Sequence, residues 1–263
     1  MEPEVAEVAE LAERLAREAA QLLLDRLEGA RDVGTKSSST DMVTEVDRES
    51  ERLIVGTLEA ERPADAILAE EGGTAGGTSG FRWVVDPLDG TTNYLYRHPG
   101  FAVSIAVERD GETVVGVVCD PLHGDVFTAV RGGGALRNGD PIGPSGTSDL
   151  SQALIATGFG YDPDQRGEQG LLVARILPRI RDIRRMGAAA VDLCSVACGR
   201  VDAFYERGLQ AWDLAAGALI AAEAGAEVGP IEAGAPIPGS VLAAAPPLFE
   251  PLRGLLADAG AGE

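Results

Sequence analysis

With 263 residues, the chain fits one large domain or two small ones, and its 45% hydrophobic content allows a full core. The net charge of −20 makes nucleic acid a poor partner, because phosphate backbones attract basic surfaces. No run of about 18 apolar residues predicts a transmembrane helix. The acidic start lacks a signal-peptide pattern, and three cysteines argue against a disulfide framework. We therefore expect a cytoplasmic protein without a membrane partner.

The first third of the chain predicts two helices, a strand and two loops. Apolar residues recur at helical spacing in the helices, whereas the loops are rich in Gly, Ser and Thr. In the second helix Asp47 resembles the acidic member of a capping box. In chain order these elements are a helix over 3–28, a polar loop over 31–43, a helix from near Thr44, a strand over 66–69 and a loop over 72–80.

The middle of the chain predicts an antiparallel meander. Asp110-Gly111 and Asn138-Gly139 are typical of tight hairpin turns. The glycines at 132–134 are not followed by Gly-Lys-Ser/Thr, so they indicate a turn and not a nucleotide-binding loop. The predicted strands span 101–108, 113–119 and 125–130.

After about residue 143 strands and helices alternate. We expect an α+β fold in two halves, residues 1–142 and 143–263. The strands are predicted over 153–157, 182–185, 202–206 and 241–245, and the helices over 164–178, 187–199, 212–224 and 247–258.

The segment Trp83-Val84-Val85-Asp86-Pro87-Leu88-Asp89-Gly90-Thr91-Thr92-Asn93 carries the strongest chemical signal. An apolar strand delivers Asp86 to its end, and a proline-fixed bend brings Asp89 to face the same point. Hard divalent cations such as Mg²⁺ prefer such oxygen ligands. The amides after Gly90 could open a helix whose N-terminus cradles phosphate. Taken alone, the segment is equally compatible with simple turn chemistry.

Four further acids are ambiguous in isolation. Glu70 ends a short strand and could be solvated, and Asp213 sits in the first turn of a helix, where an acid pairs with the dipole. Glu206 could be a surface acid at a strand end, and Asp47 only a capping residue.

Taken together, the segments around these residues resemble the inositol monophosphatase family in order and spacing. They cover 70–72, 83–93, 184–206 and 212–225, together with upstream segments at 36–38 and 41–47. The resemblance implies a layered α-β-α-β-α sandwich, with an antiparallel sheet in the N-terminal half and a mixed sheet in the C-terminal half. It also implies a Mg²⁺-dependent, lithium-sensitive phosphomonoesterase that forms a homodimer.

The resemblance further implies a set of metal ligands, for two or three Mg²⁺ ions per active site. Glu70, Asp86 and the Leu88 carbonyl would hold the first ion. Asp86, Asp89 and Asp213 would hold the second, and a third, weaker ion would share Glu70 through waters.

The catalytic and substrate-binding residues are implied in the same way. Glu70, Thr91 and Asp47 would be catalytic, the last two forming a hydrogen bond that orients and deprotonates the attacking water. The amides of Gly90 and Thr91 would bind phosphate. The inositol hydroxyls would meet Asp89, Ala189 and Glu206.

The favoured hypothesis is therefore Mg²⁺-dependent hydrolysis of inositol 1-phosphate. Ala188 stands where a hydroxyl residue is common in the family, and this departure bears on substrate choice. Histidinol phosphate, fructose 1,6-bisphosphate or another small phosphate ester is the alternative substrate. A catalytically silent regulator on the same fold is a rival from another class, weakened because all four ligand carboxylates are present.

Overall fold

The computed structural model describes residues 2–29, 33–35, 42–232 and 239–260, with backbone only for 33–35 and 42–44. The matched segment at 36–38 lies outside them, as does most of the predicted polar loop. The described residues contain seven α-helices. They also contain two short 3₁₀ turns, at Leu150–Gln152 and Leu177–Arg179. The helices are α1 (Pro3–Arg26), α2 (Glu45–Glu61), α3 (Thr91–Leu95), α4 (Pro163–Ile176), α5 (Ala189–Ala197), α6 (Ala211–Glu223) and α7 (Pro246–Asp258).

The strands of the described residues form a two-stranded ribbon and two larger sheets. The ribbon pairs β1 (Val33–Thr35) with β2 (Met42–Thr44). The larger sheets follow the orders β10-β9-β8-β7-β6-β5-β3-β4 and β12-β11-β13-β15-β14. The strands of the eight-stranded sheet are β3 (Ala66–Ala69), β4 (Thr74–Ala75), β5 (Phe81–Asp89), β6 (Ala102–Arg109), β7 (Glu112–Asp120), β8 (Asp125–Val130), β9 (Ala135–Arg137) and β10 (Asp140–Pro141). Those of the five-stranded sheet are β11 (Leu154–Thr157), β12 (Asp182–Arg184), β13 (Ala203–Arg207), β14 (Glu227–Gly229) and β15 (Ser240–Ala244).

Alternation along the central strands creates the layers. In β5, Trp83 and Val85 pack into a core with α1 and α2, whereas Val84 faces a second core with α5 and α6. In β13, Phe204 belongs to that second core, and Tyr205 belongs to a third core with α4 and α7. Because successive side chains of a strand point to opposite faces, each large sheet is covered by helices on both sides. The layered α-β-α-β-α architecture is confirmed.

The long elements follow the sequence expectations, and the differences concern short or non-local features. The eight-stranded sheet is mostly antiparallel, but β3 and β5 pair in parallel. The expected loops at 31–43 and 72–80 contain β1, β2 and β4, and these strands are too short for alternation to reveal them. The two hairpin turns are confirmed, with positive φ at Asp110, Gly111, Asn138 and Gly139.

Close packing fixes α6 against the eight-stranded sheet. A Cβ at Gly116 of β7 would lie 2.7 Å from the carbonyl oxygen of Ala216, so only glycine allows this approach. The Ser104 hydroxyl of β6 donates to the Trp212 carbonyl over 3.3 Å. These contacts hold the first half of α6 against β7 and against the start of β6, where Ser104 lies opposite Asp86 of β5.

Among the described residues, no helix has the length and apolar character needed to cross a membrane.

Candidate active site

A bulge at the end of β5 turns two acids toward one cleft. The pairing of β5 with β6 shifts between Asp86, opposite Ser104, and Asp89, opposite Ala102, so β5 carries one extra residue there. The Leu88 amide donates to Asp86 Oδ1 over 3.0 Å, and the Ser50 hydroxyl donates to the Pro87 carbonyl over 2.9 Å. The bend expected at Pro87 is therefore present as a bulge, and β5 continues beyond it to Asp89.

Gly90 joins the bulge to α3. Its φ of +86° is left-handed, and a Cβ there would lie 2.6 Å from the Gly100 carbonyl oxygen. The Asn93 amide donates to the carbonyls of Gly100 and Met186 over 2.5 and 2.7 Å. These bonds tie the start of α3 to the segment that precedes α5.

Thr91 connects this turn to α2. Its buried hydroxyl lies 3.0 Å from Asp47 Oδ1 and 3.2 Å from the Leu88 carbonyl oxygen. Asp47 is fully buried behind Thr91 and lies in the first turn of α2. The hydrogen bond that the resemblance implies is present in the structure.

Three of the acids are each anchored by a backbone amide. The Leu88 amide holds Asp86, the Ala190 amide donates to Asp89 Oδ2 over 2.7 Å, and the Gln210 amide donates to Asp213 Oδ2 over 2.6 Å. The last contact belongs to a reciprocal capping box at the start of α6. Asp213 thus has the helix-capping position, and it also lines the cleft.

The electrostatics show that the acids repel one another. Burial raises the pKa of Asp86 well above its ordinary value, and the negative charges of Glu70, Asp89 and Asp213 raise it further. The pKa of Asp89 is also well above its usual range, through burial first and then Asp213. Like charges held together in a low-dielectric site require a compensating cation or protonation.

The donor set fits a hard divalent cation. The carboxylates and the Leu88 carbonyl are oxygen donors, as Mg²⁺ prefers. Within the described part of the chain, no three acidic, Cys or His side chains already surround one point at coordination distance.

These residues line a cleft of about 510 Å³. We use the name floor for one set of its lining residues: Glu70, Asp86, Leu88, Asp89, Gly90, Thr91 and Asp213. We use the name wall for a second set of lining residues: Phe159, Gln165, Arg185, Ala189 and Glu206. Every residue predicted from the sequence for this site thus lines the cleft, except Asp47, which supports Thr91 from behind.

Glu206 is the acid of the wall. It lies on β13, and Gly158 leaves room for its carboxylate, since a Cβ at Gly158 would collide with it. Burial raises its pKa to about 8, while the positive charge of Arg185 opposes that shift. Glu206 therefore changes its charge easily near neutral pH.

Several residues around the site are not found by sequence reasoning. The carboxylate of Glu51 accepts from the amides of Glu71 and Gly73 over 2.8 and 3.1 Å, which shapes the loop after β3. Asp192 on α5 is fully buried, and neither carboxylate oxygen has a hydrogen-bond partner among the described residues. Burial raises the pKa of Asp192 well above its usual value, aided by Glu206 and Asp89. No local motif signals these residues or Arg185, because their partners are distant in sequence.

Comparison with known proteins agrees with this geometry. The family model described as "Inositol monophosphatase family" matches residues 4–259. The inositol-1-monophosphatase SuhB of Mycobacterium tuberculosis (strain H37Rv) is 46% identical over 244 residues, which cover 86% of this chain and 84% of that protein. The Nus factor SuhB of Escherichia coli (strain K12) is 44% identical over 218 residues, 82% of each chain.

The solved structures show the same fold. The extragenic suppressor protein SuhB of Bartonella henselae superposes with a TM-score of 0.89 at 36% identity, over 95% of this chain and 98% of that one. The chain therefore belongs to the inositol monophosphatase family. Membership supports phosphatase activity on a small phosphate ester, in a family that is generally metal-dependent.

Proposed function

We propose that the protein hydrolyses inositol 1-phosphate to inositol and phosphate with Mg²⁺ as cofactor. The observation that carries the proposal is the composition of the floor. Four carboxylates and the Leu88 carbonyl line the same cleft as Thr91, whose hydroxyl is bonded to Asp47. The family relationship supports the phosphatase chemistry. The inositol-1-monophosphatase name of the mycobacterial relative supports the choice of substrate.

The floor would hold two or three cations. Glu70, Asp86 and the Leu88 carbonyl would bind one, and Asp86, Asp89 and Asp213 a second. When bound, these ions supply Lewis-acid polarisation and offset the charge of the phosphate. Glu70 would also act in catalysis through waters shared with a third, weaker ion.

Thr91 and Asp47 would handle the proton of the attacking water. Because the Thr91 hydroxyl donates to Asp47, its oxygen lone pairs can accept a hydrogen bond from a water in the cleft. A proton leaving that water can pass to Thr91 Oγ1, while the Thr91 proton moves to the buried carboxylate of Asp47. The pair therefore orients the water and accepts its proton.

The remaining contacts would hold the ester. The amides of Gly90 and Thr91 would bind phosphate oxygens at the turn into α3. Asp89, Ala189 and Glu206 would meet the inositol hydroxyls. The division at residues 1–142 and 143–263 then separates most cation ligands from the substrate-specificity residues, with Asp213 as the exception.

Other properties follow from the family resemblance alone. We propose a cytoplasmic homodimer that millimolar lithium inhibits, with Li⁺ taking the position framed by Asp86, Asp89 and Asp213 after substrate has bound.

A panel of phosphate esters tests the proposal. We expect the highest kcat/KM for inositol 1-phosphate, compared with histidinol phosphate, fructose 1,6-bisphosphate and glycerol 2-phosphate. EDTA should abolish turnover and Mg²⁺ should restore it. Full activity after exhaustive EDTA treatment would contradict the metal-dependent mechanism, and a clear preference for another ester would reassign the substrate.

The Nus factor name of the Escherichia coli relative favours a second candidate, a role that does not require catalysis. A variant with an inactive floor separates the two. If the Asp86→Asn protein corrects the defect of a strain that lacks the gene, the biological role is not hydrolysis. If the variant is folded but does not correct the defect, hydrolysis is the role.

A further inference from the structure

The buried carboxylate of Glu51 in α2 holds the turn that follows β3. One of its oxygens accepts from the Glu71 amide over 2.8 Å, and the other accepts from the Gly73 amide over 3.1 Å. The same turn is closed by the bond from the Ala69 amide to the Gly73 carbonyl over 2.8 Å. A Cβ at Gly73 would lie 3.2 Å from Glu51 Oε1, so the glycine lets the turn approach the carboxylate closely. Glu70, the proposed cation ligand, lies inside this turn, and its position therefore depends on α2.

The residue before Glu51 holds the other part of the same proposed ligand set. The hydroxyl of Ser50, which is fully buried, donates to the Pro87 carbonyl over 2.9 Å. Pro87 lies between Asp86 and Leu88, which supply the remaining oxygens of the proposed first cation position. Neither Ser50 nor Glu51 is among the described residues that line the cleft. The two side chains therefore bind the backbone of the ligand set and not the space that a cation would occupy.

The two ligand segments are neighbours, and their charges oppose each other. Ala69 of β3 lies opposite Val85 of β5, and the Glu70 amide donates to the Val85 carbonyl over 3.2 Å. Glu70 and Asp86 follow this pair, and both line the cleft. Two like charges at such a spacing repel each other until a cation binds. A carboxylate that is free to move away must be brought back on binding, and this cost lowers the affinity for the cation.

We propose that Ser50 and Glu51 are positioning residues of the cation site, which fix Glu70 relative to the segment from Asp86 to Leu88. They contact neither the cation nor the ester, and they act through the backbone of the ligands. The inference rests on the proposed metal-dependent phosphatase function. It adds that the affinity for the first cation is set by α2 as well as by the carboxylates themselves.

Glu51→Gln tests the inference by calorimetric titration of Mn²⁺ into EDTA-treated protein. A glutamine side chain has one acceptor oxygen, so its NH₂ group faces one of the two backbone amides and that bond is lost. We expect the Kd of the tightest Mn²⁺ binding event to rise by about ten- to one hundred-fold, as is typical when residues that orient metal ligands are replaced. The Mg²⁺ concentration for half-maximal turnover should rise by a similar factor, whereas kcat at saturating Mg²⁺ should stay within about threefold of the wild type. Glu51→Asp keeps both carboxylate oxygens and should restore part of the affinity.

Glu59→Gln is the matched control, because Glu59 is an exposed glutamate of the same helix. It should leave the Kd unchanged. An equal rise in both variants would mean that net charge sets the affinity, and it would overturn the inference. A folded Glu51→Gln protein with the wild-type Kd would also overturn it, even with a lower Tm, because a purely structural role changes stability alone.

Ser50→Ala provides a second test if Glu51→Gln does not fold. Loss of the bond to the Pro87 carbonyl should raise the Kd for Mn²⁺ by about three- to tenfold, and an unchanged Kd would overturn the inference. A wild-type protein that binds no Mn²⁺ would instead remove the proposed metal-dependent function, and the inference with it.

Discussion

The floor and the wall of the cleft are built in different ways. Most of the floor comes from one segment, the end of β5 and the turn into α3, where spacing and a bulge already bring Asp86 and Asp89 together. The wall is assembled from α4, α5, β13 and the segment before α5, which meet only in the folded chain. On the proposed function, the pair Asp86 and Asp89 would be placed by local sequence, whereas the residues that select the ester would depend on tertiary structure.

The largest expected effect comes from the floor. Asp86→Asn should lower kcat by roughly 10³-fold or more, because an amide lacks the charge that the proposed site needs to hold two cations, and such cations stabilise a transition state by several kcal/mol. Steady-state assays with saturating Mg²⁺ measure this loss. The metal-free variant should melt no lower than the wild type, since one of the repelling carboxylates is gone.

Asp258→Asn is the matched control for Asp86→Asn, because Asp258 is exposed at the end of α7, remote from the floor. It should leave turnover unchanged. An Asp86→Asn protein with wild-type kcat would remove Asp86 from the catalytic site.

The next largest effect concerns the proton path at the floor. Thr91→Ala should lower kcat about 10²-fold or more with little change in KM, because it removes the hydroxyl that is bonded to Asp47 and that, in the proposed mechanism, accepts the proton of the water. Thr91→Ser keeps that hydroxyl and should retain most of the activity. If Thr91→Ala stays within about threefold of the wild type, the pair is structural.

A smaller and selective effect is expected at the wall. Above about pH 8, where the Glu206 carboxylate is charged, Glu206→Gln should lower kcat/KM for inositol 1-phosphate by about ten- to one hundred-fold, because the proposed site loses a charged partner for the inositol hydroxyls worth roughly 1.5–3 kcal/mol. Hydrolysis of p-nitrophenyl phosphate, which has no hydroxyls to bind, should change little. Equal losses for both esters would place Glu206 with the cations, and no loss for either would weaken the inositol assignment.

The last effect does not concern turnover: it is on stability and depends on pH. Because the pKa of Glu206 is about 8 in the folded protein against an ordinary 4.5, folding favours the uncharged form. The free energy of unfolding therefore falls as pH rises from about 4.5 through about 8, and it stays low above that range. Glu206→Gln cannot ionise, so this part of the pH dependence should disappear.

Melting temperatures of the EDTA-treated proteins measure this effect. The Tm of the variant relative to the wild type should increase from about pH 4.5 to about pH 8.5. A difference that is constant with pH would show that Glu206 has an ordinary pKa.

The sequence predicts the long elements and the floor better than the rest, for physical reasons. Helices such as α1 and strands such as β6 are long enough for apolar periodicity to define them. Asp86 and Asp89 lie three residues apart, so local turn chemistry places them. The Thr91–Asp47 bond joins residues 44 apart, and only the family resemblance indicates it before folding is known.

Other features have no local signal at all. β3 and β5 pair in parallel although only β4 and short loops lie between them in the chain, and strands as short as β4 and β14 show no alternation. Arg185 is one of many arginines in the sequence. Its position in the cleft depends on its contacts with Phe159 and Gly187. The strand pairing and the position of Arg185 therefore depend on long-range packing, which residue spacing in the sequence does not indicate.

We propose that the floor binds divalent cations and that Glu206 of the wall is not needed for this binding. Calorimetric titration of Mn²⁺ into EDTA-stripped protein tests it without reference to any substrate. We expect saturable Mn²⁺ binding to the wild type and to Glu206→Gln, and strongly weakened binding to Asp86→Asn. Absence of binding to the wild type, or equal binding to the Asp86→Asn protein, would contradict it.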